Sequence, residues 1–260
     1  MAERPGVLVT RPAGQAAGLC SALSALGFDP VSIPALEITA TEDSSSLDTL
    51  VGSLEQYQLA VFVSANAVQF GLTYILDRRS WPQQTAVATV GLATTAAIEG
   101  LGQRVDYVPE HEYSSEGLLA LPALQDMHGQ RVVILRGNGG RETLRAELLA
   151  RGAHVDYLEV YRRRVPAHGA AELLARLQQH ALVAVTVTSN ETLQNLFDMA
   201  GSAGQPLLRE VPLVVATRRQ AALAARLGFR QGAVIAGHAS DEAMAASVRQ
   251  LCNGNVGNGH

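Results

Sequence analysis

"VLVTRPAGQAAGLCSALSALG", residues 7–27, opens as a short apolar run, turns at a proline and continues as an amphipathic stretch. Leu19, Leu23 and Leu26 recur at i, i+4 and i+7, the spacing of one helix face, and Gly27 stops that helix. The same strand–turn–helix grammar returns as "VVILRGNGGRETLRAELLARG" at 132–152, with Arg11 falling on Arg136, Leu19 on Leu144, Leu23 on Leu148 and Gly27 on Gly152. "VFVSANAVQ" (61–69) matches "TVTSNETLQ" (186–194) at the same spacing and places Ser64 on Ser189. "TVGLATTAAIEGLG" (89–102) matches "VATRRQAALAARLG" (215–228) at a spacing one residue longer. One such match is weak, because strand–turn–helix units look alike. Three in register indicate an internal duplication.

The other apolar runs extend the pattern. "LAVFV" (59–63), "AVATV" (86–90), "RVVIL" (131–135), "LVAVTV" (182–187) and "PLVVA" (212–216) are each followed by a turn and a helical pattern. Runs apolar on both faces and separated by helices imply parallel sheets covered on both sides, hence an α/β fold. A chain of 260 residues suits two domains. Tandem halves would meet near residue 128, but a sheet could equally draw one unit from one repeat and the rest from the other; the residues alone leave both open.

Composition narrows the function. Apolar residues make up 47% and charged residues 17%, as in a globular protein, and the net charge of -4 argues against a general nucleic-acid binder. A few local arginines could still dominate one anion-binding cleft. Cys20 and Cys252 are far apart, and Cys20 shares the apolar helix face of Leu19 and Leu23, so it reads as a buried small residue. The seven histidines form no i,i+4 pair, so no metal is expected. "MAERPGVLVT" carries no signal-peptide pattern and no run is long enough to span a membrane; the expectation is a cytoplasmic protein. The lack of an obvious exposed apolar helix points towards a monomer.

Candidate functional residues sit where strands turn into helices. Ligands of open α/β sheets bind outside the carboxyl ends of strands, and helix N-termini there present N–H donors to anions. Ser64, Thr94 and Ser189 occupy such turns; each is an ordinary helix cap, a ligand contact, or both. "RGNGGR" (136–141) is neither a dinucleotide fingerprint nor a P-loop, but its glycines would let backbone approach an anion, which brings in Arg136 and Gly137. Arg11 is the equivalent of Arg136. "SSEGLL" (114–119) reads as a helix start capped by Ser114 or Ser115. In "VATRRQA" (215–221), Thr217 stands opposite Gly91, which puts a ligand role for that turn in doubt. In "LEVYRRRVP" (158–166), strand alternation puts Arg162 and Arg164 on the face opposite Tyr161 and Arg163. Taken alone, these arginines read as a solvated strand edge and the tyrosine as strand packing.

Together, "VLVTRP", "FVSANAV", "VGLATTAAIEGLG", "SSEGLL", "VVILRGNGGRETL", "VYRR", "VTSNETLQNL" and "ASDEAM" resemble the uroporphyrinogen-III synthase family over nearly the whole chain and in the family's order. The resemblance implies two flavodoxin-like parallel-sheet domains joined by a two-stranded antiparallel linker. Residues 1–35 with 168–255 would form a discontinuous domain and 42–157 an inserted one. Strands 36–41 and 158–167 would be the linkers, with 253–260 a flexible tail. It further implies cofactor-free closure of hydroxymethylbilane, a polycarboxylate, to uroporphyrinogen III with loss of water, and the preceding pathway enzyme as a candidate partner. Tyr161, on a linker facing the interdomain cleft, would donate a proton to the departing hydroxyl. Arg11, Ser64, Thr94, Arg136, Gly137 and Ser189 would bind substrate. Two competitors stand beside it: a two-lobed binding protein without catalysis, and a flavin or nucleotide protein.

Overall fold

The computed structural model describes residues 4–42 and 44–255. Among them are ten strands: β1 (Gly6–Val9), β2 (Asp29–Ser32), β3 (Glu37–Ala40), β4 (Leu59–Phe62), β5 (Ala86–Thr89), β6 (Arg131–Gly137), β7 (His154–Arg164), β8 (Leu182–Val187), β9 (Leu213–Val215) and β10 (Ala233–Ile235). They form two five-stranded sheets, ordered β10-β9-β8-β1-β2 and β3-β7-β6-β4-β5. The chain divides into two compact units, Met1–Glu37 with Arg164–His260, and Ile38–Arg163. The polypeptide passes from one to the other twice, at 37–38 and 163–164.

In the first unit, alternate strand residues face opposite ways into two apolar layers. Leu8, Val185, Val187, Leu213 and Val215 pack against the helices Ala170–Gln178, Asn190–Met199 and Arg218–Leu227. Val7, Val9, Ala184 and Val214 pack on the other face, against Leu19 and Leu23 of the helix Ala17–Ala25 and Met244 and Val248 of the helix Asp241–Asn255. Cys20 is half-buried at the edge of this layer, and burial pushes its thiol pKa up. The tail expected to loosen from Asn253 remains helical to Asn255; the rest of that expectation, 256–260, lies outside the described residues.

The second unit is built the same way. Ala60, Phe62, Val133 and Leu135 pack with Ala67, Val68, Leu72 and Ile75 of the helical segment 65–76 on one face. Leu59, Val61, Val132 and Ile134 pack with Leu118, Leu144 and Leu148 on the other. Strand registers carry the internal repeat. Gly6 pairs with Asp29 as Arg131 pairs with His154, and Val7 pairs with Ala184 as Val132 pairs with Leu59, each shifted by the spacing seen in the sequence. Val185 opposite Leu213 repeats Ala60 opposite Val87 with the one extra residue. The units are therefore crossed. β1 and β2 of the first repeat share a sheet with β8, β9 and β10, while β4 and β5 share one with β6 and β7.

Leu23 and Leu148 are equivalent residues, each fully buried under its own sheet. Replacing either by alanine is expected to cost about 2–5 kcal/mol, read as a lower midpoint in urea unfolding. A change within experimental error at either position would contradict the repeat-based assignment of the two layers.

Candidate active site

An open cavity of about 300 Å³ lies in the unit Ile38–Arg163, outside the carboxyl ends of β4, β5, β6 and β7. This is the end at which open α/β sheets place ligands. Its polar lining comes from Ser64 after β4, Ser114 and Ser115 at the start of the helix Ser115–Leu119, the loop 137–141, and Tyr161 and Arg163 of β7.

Tyr161 reaches this cavity because β7 slips out of register. Arg136 pairs with Glu159, but Gly137 pairs with Tyr161, so Val160 is an extra residue against β6. Two consecutive residues, Val160 and Tyr161, are thereby turned into the same apolar layer, where strict alternation would have set them on opposite faces. A bulge of this kind is uncommon in a parallel pair and re-aims the side chain that follows it. The Tyr161 ring is 5% exposed. It stacks on Phe70, with centroids 5.9 Å apart and planes inclined by 30°. Phe70 lies in the π-turn Val68–Leu72, an irregularity often found at functional sites. The ring also lies against Gly137, where a Cβ would come within 2.4 Å of Tyr161 Cε2. The phenol oxygen meets Ser64 Oγ at 3.2 Å.

Asn138 extends the ladder beyond β6. Its backbone N–H donates to the Tyr161 carbonyl (3.1 Å), its Oδ1 accepts from the Arg163 N–H (2.6 Å) and its Nδ2 donates to the Arg163 carbonyl (3.2 Å). This clamp holds Arg163 on the cavity side, two residues beyond the tyrosine. Arg162 and Arg164 are exposed instead and face Glu42 and Glu37. The reading of all three arginines as a solvated edge is therefore corrected for Arg163.

Arg136 is almost fully buried, with a guanidinium held from several sides. It donates to Glu142 Oε1 (3.0 Å) and to the carbonyls of Gly137 (3.3 Å) and Gly139, and lies 4.4 Å from the centre of the Tyr157 ring. The Tyr157 hydroxyl donates to the second oxygen of Glu142 at 2.9 Å. That bond and the Arg136 guanidinium hold the Glu142 carboxyl below its ordinary pKa, while burial and Glu142 push the Tyr157 phenol up. Gly140 completes the loop with φ of 118°, and a side chain there would also collide with Arg136. Arg141 extends outward to Glu116 at 2.9 Å. Arg136, Arg141 and Arg163 thus all line one cavity in a chain of net negative charge.

The structure brings Ser64, Arg136, Gly137 and Tyr161 together and sets the other expected residues elsewhere. Arg11 is in the other unit, where it tethers the turn after β1 to the start of the helix Asp241–Asn255 through Asp241 and the Ala239 carbonyl. Ser189 caps the helix Asn190–Met199 in that same unit, accepting from the Thr192 N–H at 3.0 Å. Thr94 is not a cap: Gly91 holds that position, and Thr94 is buried as the third residue of the helix Leu92–Glu99. The doubtful turn at Thr217 is closed by its own capping box with Gln220, whose amide also donates to the Thr188 carbonyl. Tyr157 and Asn138 were not singled out from sequence, and Arg163 was read only as solvated strand edge. Their roles arise from the bulge and the loop clamp, which no local pattern announces.

Gly137→Ala provides a direct check on this packing. The methyl group has no free space against a tyrosine already stacked on Phe70, so a loss of about 1–3 kcal/mol in stability is expected, measured by thermal unfolding. An unchanged melting temperature would mean that the tyrosine is not held against the β6 backbone.

A family model described as uroporphyrinogen-III synthase HemD matches residues 18–246. The uroporphyrinogen-III synthase of Salmonella typhimurium is 34% identical over 246 residues, covering 94% of this chain and 99% of the relative. That of Escherichia coli is 33% identical over the same extent. Among solved structures, a mutant uroporphyrinogen III synthase from the extremely thermophilic bacterium Thermus thermophilus superposes with a TM-score of 0.67 at 16% identity, covering 96% of this chain and 99% of that one. The uroporphyrinogen-III synthetase of Helicobacter pylori gives 0.60 at 14% identity, covering 95% and 99%. The overlap of the family model with both repeats, and of two relatives with almost the whole chain, places this protein in the uroporphyrinogen-III synthase family.

Proposed function

We infer that the chain closes hydroxymethylbilane to uroporphyrinogen III, inverting the last pyrrole ring and releasing water, as a cyclising hydro-lyase of haem biosynthesis. The observation that carries the reading, beyond family membership, is a buried phenol presented to a cavity ringed by Arg136, Arg141 and Arg163. In this account Tyr161 gives its proton to the terminal hydroxyl as the carbon–oxygen bond breaks. The electron pair leaves with the oxygen, water departs and the first pyrrole carries an extended cation. The far ring attacks that cation through the α-carbon that already bears its methylene bridge. The bond to that bridge then breaks and re-forms at the ring's free α-carbon, which inverts the ring. The proton shed from that carbon restores the neutral macrocycle and the phenol. The substrate's carboxylates would be received by the arginines and by the backbone of 137–141. The cavity is at the small end of the range for ligand sites, room for part of a tetrapyrrole rather than all of it. Two-lobed binding without catalysis is not favoured, because relatives matching nearly the full chain carry the synthase name.

The finer architecture belongs to the same proposal. Each sheet would be a flavodoxin-like core, and 36–41 with 158–167 would be antiparallel linker strands. The Glu37–Arg164 ion pair (2.9 Å) and the Thr41 N–H bond to the Val160 carbonyl (3.3 Å) support that sense, since one number rises as the other falls. A monomer, with the preceding pathway enzyme as its partner, completes the proposal.

Purified protein supplied with freshly made hydroxymethylbilane should yield the type III isomer. Recovery of only the uninverted type I macrocycle, as in a blank, would refute the assignment. Tyr161→Phe should lower kcat by about 100-fold or more with the melting temperature preserved, whereas wild-type turnover in that variant would remove the proton-donor role.

A further inference from the structure

Ser64 and Ser189 are equivalent residues of the repeat, and both cap a helix. Ser64 Oγ accepts from the Ala67 N–H at 3.1 Å, and Ser189 Oγ from the Thr192 N–H at 3.0 Å. Their hydroxyls differ in what else they meet. Ser189 Oγ lies 2.8 Å from Thr192 Oγ1, so its second contact is local. The matching position in the other repeat is Ala67, which has no hydroxyl. Ser64 Oγ is directed instead to the Tyr161 phenol oxygen, 3.2 Å away and 97 residues along the chain. The counterpart of Tyr161 in the first repeat is Leu36, and the counterpart of Gly137 is Pro12. The duplicated fold thus carries this hydroxyl pair in one unit only.

We propose that Ser64 is a positioning residue for the proton donor: it donates its hydroxyl hydrogen to the Tyr161 oxygen and stabilises the phenolate formed when Tyr161 gives its proton away. A serine hydroxyl has one hydrogen and two lone pairs. One lone pair is taken by the Ala67 N–H, which leaves two arrangements with the phenol. If Tyr161 donated to Ser64, its proton would point away from the cavity, and the bond would vanish once that proton was transferred. If Ser64 donates to Tyr161, the phenol hydrogen is free to turn into the cavity. The bond then strengthens as charge develops on the oxygen, because hydrogen bonds to ionised acceptors are roughly twice as strong as neutral ones. Only the second arrangement favours the transition state over the resting enzyme. Helix capping holds the serine in place for this, with its backbone extended before the first turn.

The inference rests on the ring-closing reading and is separated from it by a double-mutant cycle on the full-length protein, scored by type III product. Ser64→Ala should lower kcat about tenfold with KM within about twofold, and Ser64→Thr, which keeps hydroxyl and cap, should recover most of the rate. In the Tyr161→Phe background, Ser64→Ala should cause no further loss, because the oxygen it serves is already gone. Thermal unfolding of each variant reports the capping loss by itself. Full kcat in Ser64→Ala, equal impairment of Ser64→Thr, or losses that multiply with those of Tyr161→Phe would each overturn the proposal while leaving the synthase reading intact. Wild-type protein that makes only the type I isomer would overturn the reading itself, and a fully active Tyr161→Phe would remove the donor and this role with it.

Discussion

One extra residue in β7 governs the site. Because β6 and β7 lose register between Arg136 and Gly137, Val160 and Tyr161 turn into the same layer and the phenol comes to lie against Gly137. The surrounding features follow from that placement. Gly137 has no side chain because a Cβ would occupy the ring's position. Phe70, carried by the π-turn Val68–Leu72, stacks on the ring. Asn138 then ties β6 to β7 beyond the last regular pair, so the tyrosine is fixed from its backbone as well as its ring.

Duplication supplied the frame, and divergence between its copies set the cavity and its polar lining in one unit. Arg11 and Arg136 are still used alike: each binds a carboxylate and a carbonyl of the turn that follows the first strand of its repeat, Asp241 of the C-terminal helix with Gln15 in one unit, Glu142 with Gly139 in the other. The second strands differ. β2 ends at Ser32, whereas β7 runs on to Arg164 and carries Tyr161 and Arg163 with it. The cavity with its phenol and guanidinium groups therefore belongs to the unit Ile38–Arg163, while the equivalent turns of the other unit are closed by Asp241, Thr192 and Gln220.

Much of the fold was readable from sequence, because strands buried on both faces must be apolar throughout and each is followed by a helix. The runs at 59–63, 131–135 and 182–187 all became central strands. β2 and β10 were missed, being short and largely exposed, with too little burial to leave a pattern. The crossed pairing could not be deduced from the residues, since equivalent repeat units are interchangeable until they are packed. Within the site, Tyr161, Ser64, Arg136 and Gly137 were legible, through the repeat and the family resemblance. The bulge was not. A period of two gives no sign of it, nor of the Asn138 clamp or the Tyr157–Glu142–Arg136 group, although it did set Arg163 on the face of Tyr161. Thr94 was misplaced because a glycine, which leaves no side-chain signature, caps its helix.

The central claim is that the reacting end of the tetrapyrrole meets Tyr161 at the carboxyl ends of β4 to β7. A crystal structure of the protein with uroporphyrinogen III bound under reducing conditions tests it most directly. The account predicts a pyrrole seated against Tyr161, with a meso carbon next to that ring in reach of the phenol oxygen. The ring's carboxylates should lie on Arg136, Arg141, Arg163 or the backbone of 137–141. A macrocycle bound with no atom near Tyr161 and with the loop 137–141 empty would contradict it.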